Sequence, residues 1–154
     1  MKRLLFSLMI SVIALPAAGQ LTFNGYNVSN YELAGETLFK HYKRDIYLSR
    51  ENTGNFDAIL IYTEQKRFVF ADQNGEDTTF KKTYAELTDR FGKEDKNEDS
   101  IPKYYESGNL SQLKRLVRSK RARIYRVWNR PEENITQILL IWDDGGLTLA
   151  FDGG

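Results

Sequence analysis

The densest alternation of apolar residues lies at the C-terminal end of the chain. Arg123 to Asn129, Ile135 to Trp142 and Leu147 to Phe151 are three β-branched and aromatic runs, separated by Arg130-Pro131-Glu132-Glu133-Asn134 and by Asp143-Asp144-Gly145-Gly146. Both separators carry the residue types that tight connections need, so the pattern predicts an antiparallel meander over 123–152. In the middle run the sets Ile135/Leu139/Ile141 and Ile138/Leu140/Trp142 are both largely apolar, which predicts a central strand covered on two faces. In the last run Leu147, Leu149 and Phe151 alternate with Thr148, Ala150 and Asp152. That is the pattern of a strand with one wet face, expected nearer an edge.

A second β signal precedes it. Ala58-Ile59-Leu60-Ile61-Tyr62 and Arg67-Phe68-Val69-Phe70-Ala71 flank Thr63-Glu64-Gln65-Lys66, which predicts a hairpin over 57–72. Helical spacing occurs in three places. Tyr31, Ala34, Leu38 and Tyr42 follow a Ser29/Glu32 capping box and predict a helix over about 31–43, with Thr37–Leu48 as an alternative extended segment. Thr83 and Glu86 form a second capping box before Tyr84, Leu87, Thr88 and Phe91, with Gly92 placed to end that helix. From Asn109, an apolar stripe of Leu110, Leu113, Leu116 and Val117 faces away from Lys114, Arg115 and Arg118. Residues 93–108 show no sustained period and contain Glu94, Asp95, Glu98 and Asp99. They read as a mobile acidic surface loop.

These elements predict an α+β fold. The expected architecture is a single domain with about five strands, hairpin 57–72 plus meander 123–152, in one mostly antiparallel sheet carrying two or three helices. A curled sheet or partial barrel around a helix is the next alternative, and there is no internal repeat.

The N-terminus alters the domain reading. Met1-Lys2-Arg3, an apolar run from Leu4 to Leu15 and the small residues Pro16-Ala17-Ala18-Gly19 have the layout of a secretory signal peptide. The expected division is a signal peptide at 1–19, cleaved before Gln20, and one domain at 20–154, in the periplasm or secreted. No membrane span is expected after cleavage, because the apolar run is shorter than the roughly 20 residues a span needs.

Composition then narrows the chemistry. The 154 residues carry 22 Lys+Arg against 21 Asp+Glu, one His and no Cys. Losing Lys2 and Arg3 with the leader turns the formal charge from +1 to −1, and Met1 and Met9 leave with it. The mature chain then has no sulfur, which removes disulfides, thiolate catalysis and thiol redox chemistry. His41 stands between Lys40 and Tyr42, and no Gly-x-Ser-x-Gly elbow accompanies it, so a hydrolase triad has little footing. Asp143-Asp144-Gly145-Gly146 with Asp152 lacks the spacing of a calcium loop and reads as a turn. No catalytic residue, metal or cofactor is expected. The Asn-x-Ser/Thr triplets at Asn27, Asn109 and Asn134 are given no role.

One segment stands out. Lys114, Arg115, Arg118, Lys120, Arg121, Arg123, Arg126 and Arg130 place eight cations in seventeen positions with no acid between them. Either the segment is a solvated face balanced by the acids at 94–99 and by Glu132 and Glu133, or it is a docking surface steered by charge. Tyr125 and Trp128 add residue types that anchor interfaces. The expected binding residues are Lys114, Arg115, Arg118, Arg121, Arg123, Arg126 and Trp128, with Arg126 and Trp128 on the same side of a strand. The partner is expected to be an acidic protein or an anionic envelope component. Near-neutral charge and the lack of an RNA-binding aromatic motif argue against nucleic acid.

The expected function is a small exported binding protein, of inhibitor or immunity type, without enzymatic activity. Two alternatives come from other classes. One is a carboxylate-dependent hydrolase of cell-wall or other polysaccharide, which needs two acids across a cleft. The other is a structural component of a surface assembly that pairs through strand 147–151.

Overall fold

The structure is a computed structural model that describes residues 22–23, 26–27, 31–39, 42–49, 56–62 and 66–153. Strands β1 (Thr22–Phe23) and β2 (Tyr26–Asn27) form a small ladder of their own. Then follow β3 (Tyr31–Phe39), β4 (Tyr42–Ser49), β5 (Ala58–Tyr62), β6 (Arg67–Asp72), α1 (Asp77–Phe91), β7 (Lys96–Asn97), α2 (Leu110–Arg118), β8 (Ile124–Glu132), β9 (Ile135–Asp143) and β10 (Gly146–Gly153). Strands β3 to β10 make one sheet of eight, in the order β3-β4-β5-β6-β10-β9-β8-β7. Every neighbouring pair in it is antiparallel.

The class is broadly α+β, but the expected count of about five strands is corrected to eight in one sheet, with two helices among the described residues. Hairpin and meander are both present. Two of the added strands are β3 and β4, where the sequence pattern predicts a helix over 31–43. They pair from Tyr31↔Ser49 to Phe39↔Tyr42, and β4 continues onto β5 through Ile46↔Leu60 and Tyr47↔Ile59. Helical spacing in a short stretch is a weak local preference, and the ladder of β3 with β4, continued onto β5, outweighs it.

The third added strand is β7, inside the predicted acidic loop. Lys96 and Asn97 pair with Val127 and Arg126, and Ser100 bridges Arg123. Residues 94–100 are therefore folded along β8, and Glu94 is buried.

Strand β10 is also displaced from its expected place. It lies between β6 and β9, paired on both sides, while the sheet edges are β3 and β7. The assembly role that needed 147–151 as a free edge loses that strand.

Register explains why β10 is not wet on one side. Ile46, Leu60, Val69, Ala150, Leu139 and Val127 stand abreast across six strands on the face away from the helices. Ala150 and Val127 are buried, and the other four are half-buried.

The opposite face carries the core. Phe70, Leu149, Leu140, Ile138 and Trp142 meet Phe80 and Leu87 of α1 and Leu113, Leu116 and Val117 of α2. Phe80 stacks on Trp142 with ring centroids 4.7 Å apart.

α1 starts at Asp77, so Thr83 is a buried interior residue and not a cap. Its start is organised by Asp72, whose carboxylate accepts the Asn74 and Glu76 N–H groups at 3.0 Å each. Gly92 ends it as the sequence predicts, at φ 79, donating to the Thr88 carbonyl. α2 begins at Asn109, whose side chain accepts from the Gln112 N–H at 3.0 Å.

Candidate functional site

The eight-cation segment does not form one surface. On α2 the spacing of Leu113, Leu116 and Val117 turns one side of the helix into the core, which leaves Arg115 and Arg118 exposed and Lys114 at the boundary. The chain leaves the helix through Ser119 and Lys120, the latter at φ 61, so Lys120 and Arg121 extend the exposed patch, while Arg123 is exposed in the strand set of Tyr125 and Val127, on the sheet face away from the helices. Arg130 is exposed on the far part of β8. It stands seven positions along the chain from Arg123, at most roughly 23 Å at about 3.3 Å per residue.

Partners divide the patch further. Glu76 Oε2 lies 2.5 Å from Lys114 Nζ, and Glu76 Oε1 lies 3.8 Å from an Arg118 terminal nitrogen. Arg118 also donates to the Asn74 carbonyl at 3.0 Å. Lys120 is 3.5 Å from Asp144, with 77% of its side chain exposed, a pair worth little in water. The Arg123 guanidinium lies 5.0 Å from the centre of the Tyr125 ring. Among the described residues, Arg115, Arg121 and Arg130 lie in no salt bridge.

Two of the expected binding residues belong to the interior. Arg126 and Trp128 do share a side of β8, and that side faces α1. Trp128 is 1% exposed and donates its indole N–H to the Gly92 carbonyl at 2.9 Å. It fastens the end of α1 to the sheet and does not reach a surface.

Arg126 donates to Asp99 at 2.8 Å and lies 3.9 Å from Glu94. Its guanidinium sits 4.2 Å from the Tyr84 ring centre. Burial works against its charge, and Asp99 first, then Tyr84 and Glu94, more than offset that, so the group is held firmly cationic. Burial would push the Glu94 carboxyl up, yet its own backbone N–H, the Tyr84 hydroxyl, Arg126 and the Asn97 amide together hold it below the usual range. Glu94 and Asp99 come from the acids at 94–99 that the sequence offers as a balance for the basic segment, and Tyr84 is the member of this cluster that the sequence reading missed. Strand parity carries the signal, since Ile124, Arg126 and Trp128 occupy one set and two of the three are large and apolar.

A second acidic group sits where β6 meets α1. Asp57 accepts the Gln73 N–H at 3.1 Å. Burial, partly relieved by that N–H and reinforced by the neighbouring Asp72, raises its carboxyl. Asp72 is 2% exposed and already serves the turn. The Asp143 carboxylate likewise accepts the Gly145 N–H at 2.9 Å, the bond of a tight turn. Among the described residues no three His, Cys, Asp or Glu side chains are grouped as metal ligands. His41 and residues 1–19, with the leader expected there, lie outside the described residues.

Fold and site together define an α+β protein in which α2 and the turn after it expose Arg115, Arg118, Lys120 and Arg121. No protein-family model matches the chain, and comparison with curated proteins and with solved structures finds no match. No helix among the described residues is long and apolar enough to cross a membrane.

Proposed function

We propose that this chain is an exported binding protein that docks an acidic protein partner through Arg115, Arg118, Lys120 and Arg121, in the manner of an inhibitor or immunity protein. One observation carries the reading: α2 buries Leu113, Leu116 and Val117 and keeps its cations on the open side, where the turn after it adds Lys120 and Arg121. A patch of one sign raises the encounter rate with an oppositely charged surface and rejects like-charged ones. Export rests on the leader-like pattern of residues 1–19, and mass spectrometry of the released protein tests it by showing whether the chain begins at Gln20.

Arg126 and Trp128 are not part of the docking surface in this reading, because their side chains hold α1 to the sheet. The test uses Arg115→Glu with Arg121→Glu, two exposed residues outside every ion pair described. The mature double variant should keep its fold by circular dichroism and lose capture of its extracytoplasmic partner at low salt. Undiminished capture by the folded variant would refute the proposal.

A further inference from the structure

Building on that docking role for α2, we propose that Lys114 and Arg118 form a two-cation site for the partner's carboxylates, and that Glu76 fills it in the free protein. The two cations are one helical turn apart, so their side chains lie on one ridge of α2. Glu76 reaches across from the start of α1, with one oxygen 2.5 Å from Lys114 Nζ and the other 3.8 Å from Arg118. It divides its carboxylate between the two, as an incoming carboxylate would.

Three features mark this as a prepared site and not a chance surface pair. Lys114 has only 20% of its side chain exposed, so its ammonium is already positioned. The Asn74 carbonyl fixes the Arg118 guanidinium while 56% of that side chain stays open to a ligand. Glu76 is the N-cap residue of α1, yet its side chain makes no capping hydrogen bond. Its carboxylate is directed to α2 instead.

An acidic ligand therefore competes with Glu76 and gains only the difference between its own contacts and those it displaces. Removing the Glu76 charge should tighten binding at this site, whereas a pair that merely ties α1 to α2 would lower stability and leave affinity alone.

The probe is a deca-glutamate peptide titrated into the mature protein at low salt. Glu76→Gln should bind it about two- to fivefold more tightly than the wild type, the size of one exposed ion pair. Glu133→Gln supplies the same change in net charge at an exposed position and should alter affinity by less than about twofold. Adding Lys114→Gln to Glu76→Gln should abolish the gain. If Glu76→Gln does not fold, Glu76→Asp, which retracts the carboxylate by one methylene, should shift affinity in the same direction. Equal affinities for Glu76→Gln and Glu133→Gln would overturn the proposal while leaving the docking reading intact. No binding by any variant would overturn both.

Discussion

The Arg126 guanidinium donates to the Asp99 carboxylate at 2.8 Å from within the interface between α1 and the sheet. Their side chains are 15% and 11% exposed. A charged residue from the basic segment is thereby a packing element, neutralised by the acids Glu94 and Asp99 that flank β7.

Truncating it should be costly. Arg126→Ala leaves Glu94 and Asp99 as poorly solvated carboxylates without their cation, and should lower unfolding free energy by about 3 kcal/mol. Asp99→Asn keeps an oxygen for the Tyr125 N–H, which Asp99 accepts at 3.0 Å, and should cost only about 1 kcal/mol. Urea unfolding at neutral pH checks both. Similar small losses for the two variants would place Arg126 in water.

Stability should depend on pH in opposite senses at two acids. Glu94 is held below its usual 4.5, so it stabilises the fold above that value and the contribution is lost as pH falls through the lower folded one. Glu94→Gln should weaken the acid-side fall in stability. Asp57 is raised above its usual 3.8. Its protonated form is favoured by folding, so its contribution is present below 3.8 and is lost as pH rises through the raised value. Asp57→Asn should therefore raise stability at neutral pH. Denaturation midpoints measured across the acid range would show the two signs, and a loss of stability in Asp57→Asn at neutral pH would contradict the second.

Two glycines in the same unusual region of backbone should respond differently to alanine. Gly92, at φ 79, has open space where a Cβ would stand, and Gly146, at φ 111, would drive a Cβ into the Asp72 carbonyl oxygen. Gly92→Ala should cost about 1 to 2 kcal/mol, the conformational penalty of φ 79 and ψ −167 alone. Gly146→Ala adds a backbone clash in the β9–β10 turn and should cost about 3 kcal/mol or more. Thermal unfolding of both variants distinguishes them, and equal costs would remove the close approach of β10 to the end of β6.

Local patterns showed hairpin 57–72, the meander and α2, because each is specified by neighbours in sequence. They failed where strand pairing decides. Tyr31, Ala34, Leu38 and Tyr42 fit a helical face, yet their segments pair with each other as β3 and β4, and β4 continues onto β5. Leu147, Leu149 and Phe151 alternate as an edge strand would, but β6 claims the other side of β10.

Charge counting found the basic segment and could not divide it. Arg126 and Arg121 are alike in sequence, and only β8 facing α1 sends one inside. Glu76 lies outside that segment, and its contact with Lys114 follows from the packing of α2 beside α1.

The central claim is that the exposed cations of α2 and the following turn bind an acidic partner by charge. Its most direct measurement is the affinity of the mature chain for deca-glutamate as salt rises from about 0.01 M to about 0.15 M, which shortens the screening length from roughly 30 Å to roughly 8 Å. The wild type should bind and weaken steeply with salt, and the folded Arg115→Glu/Arg121→Glu variant should lose both the affinity and the slope. Binding of equal strength and equal salt dependence in the two proteins would contradict it.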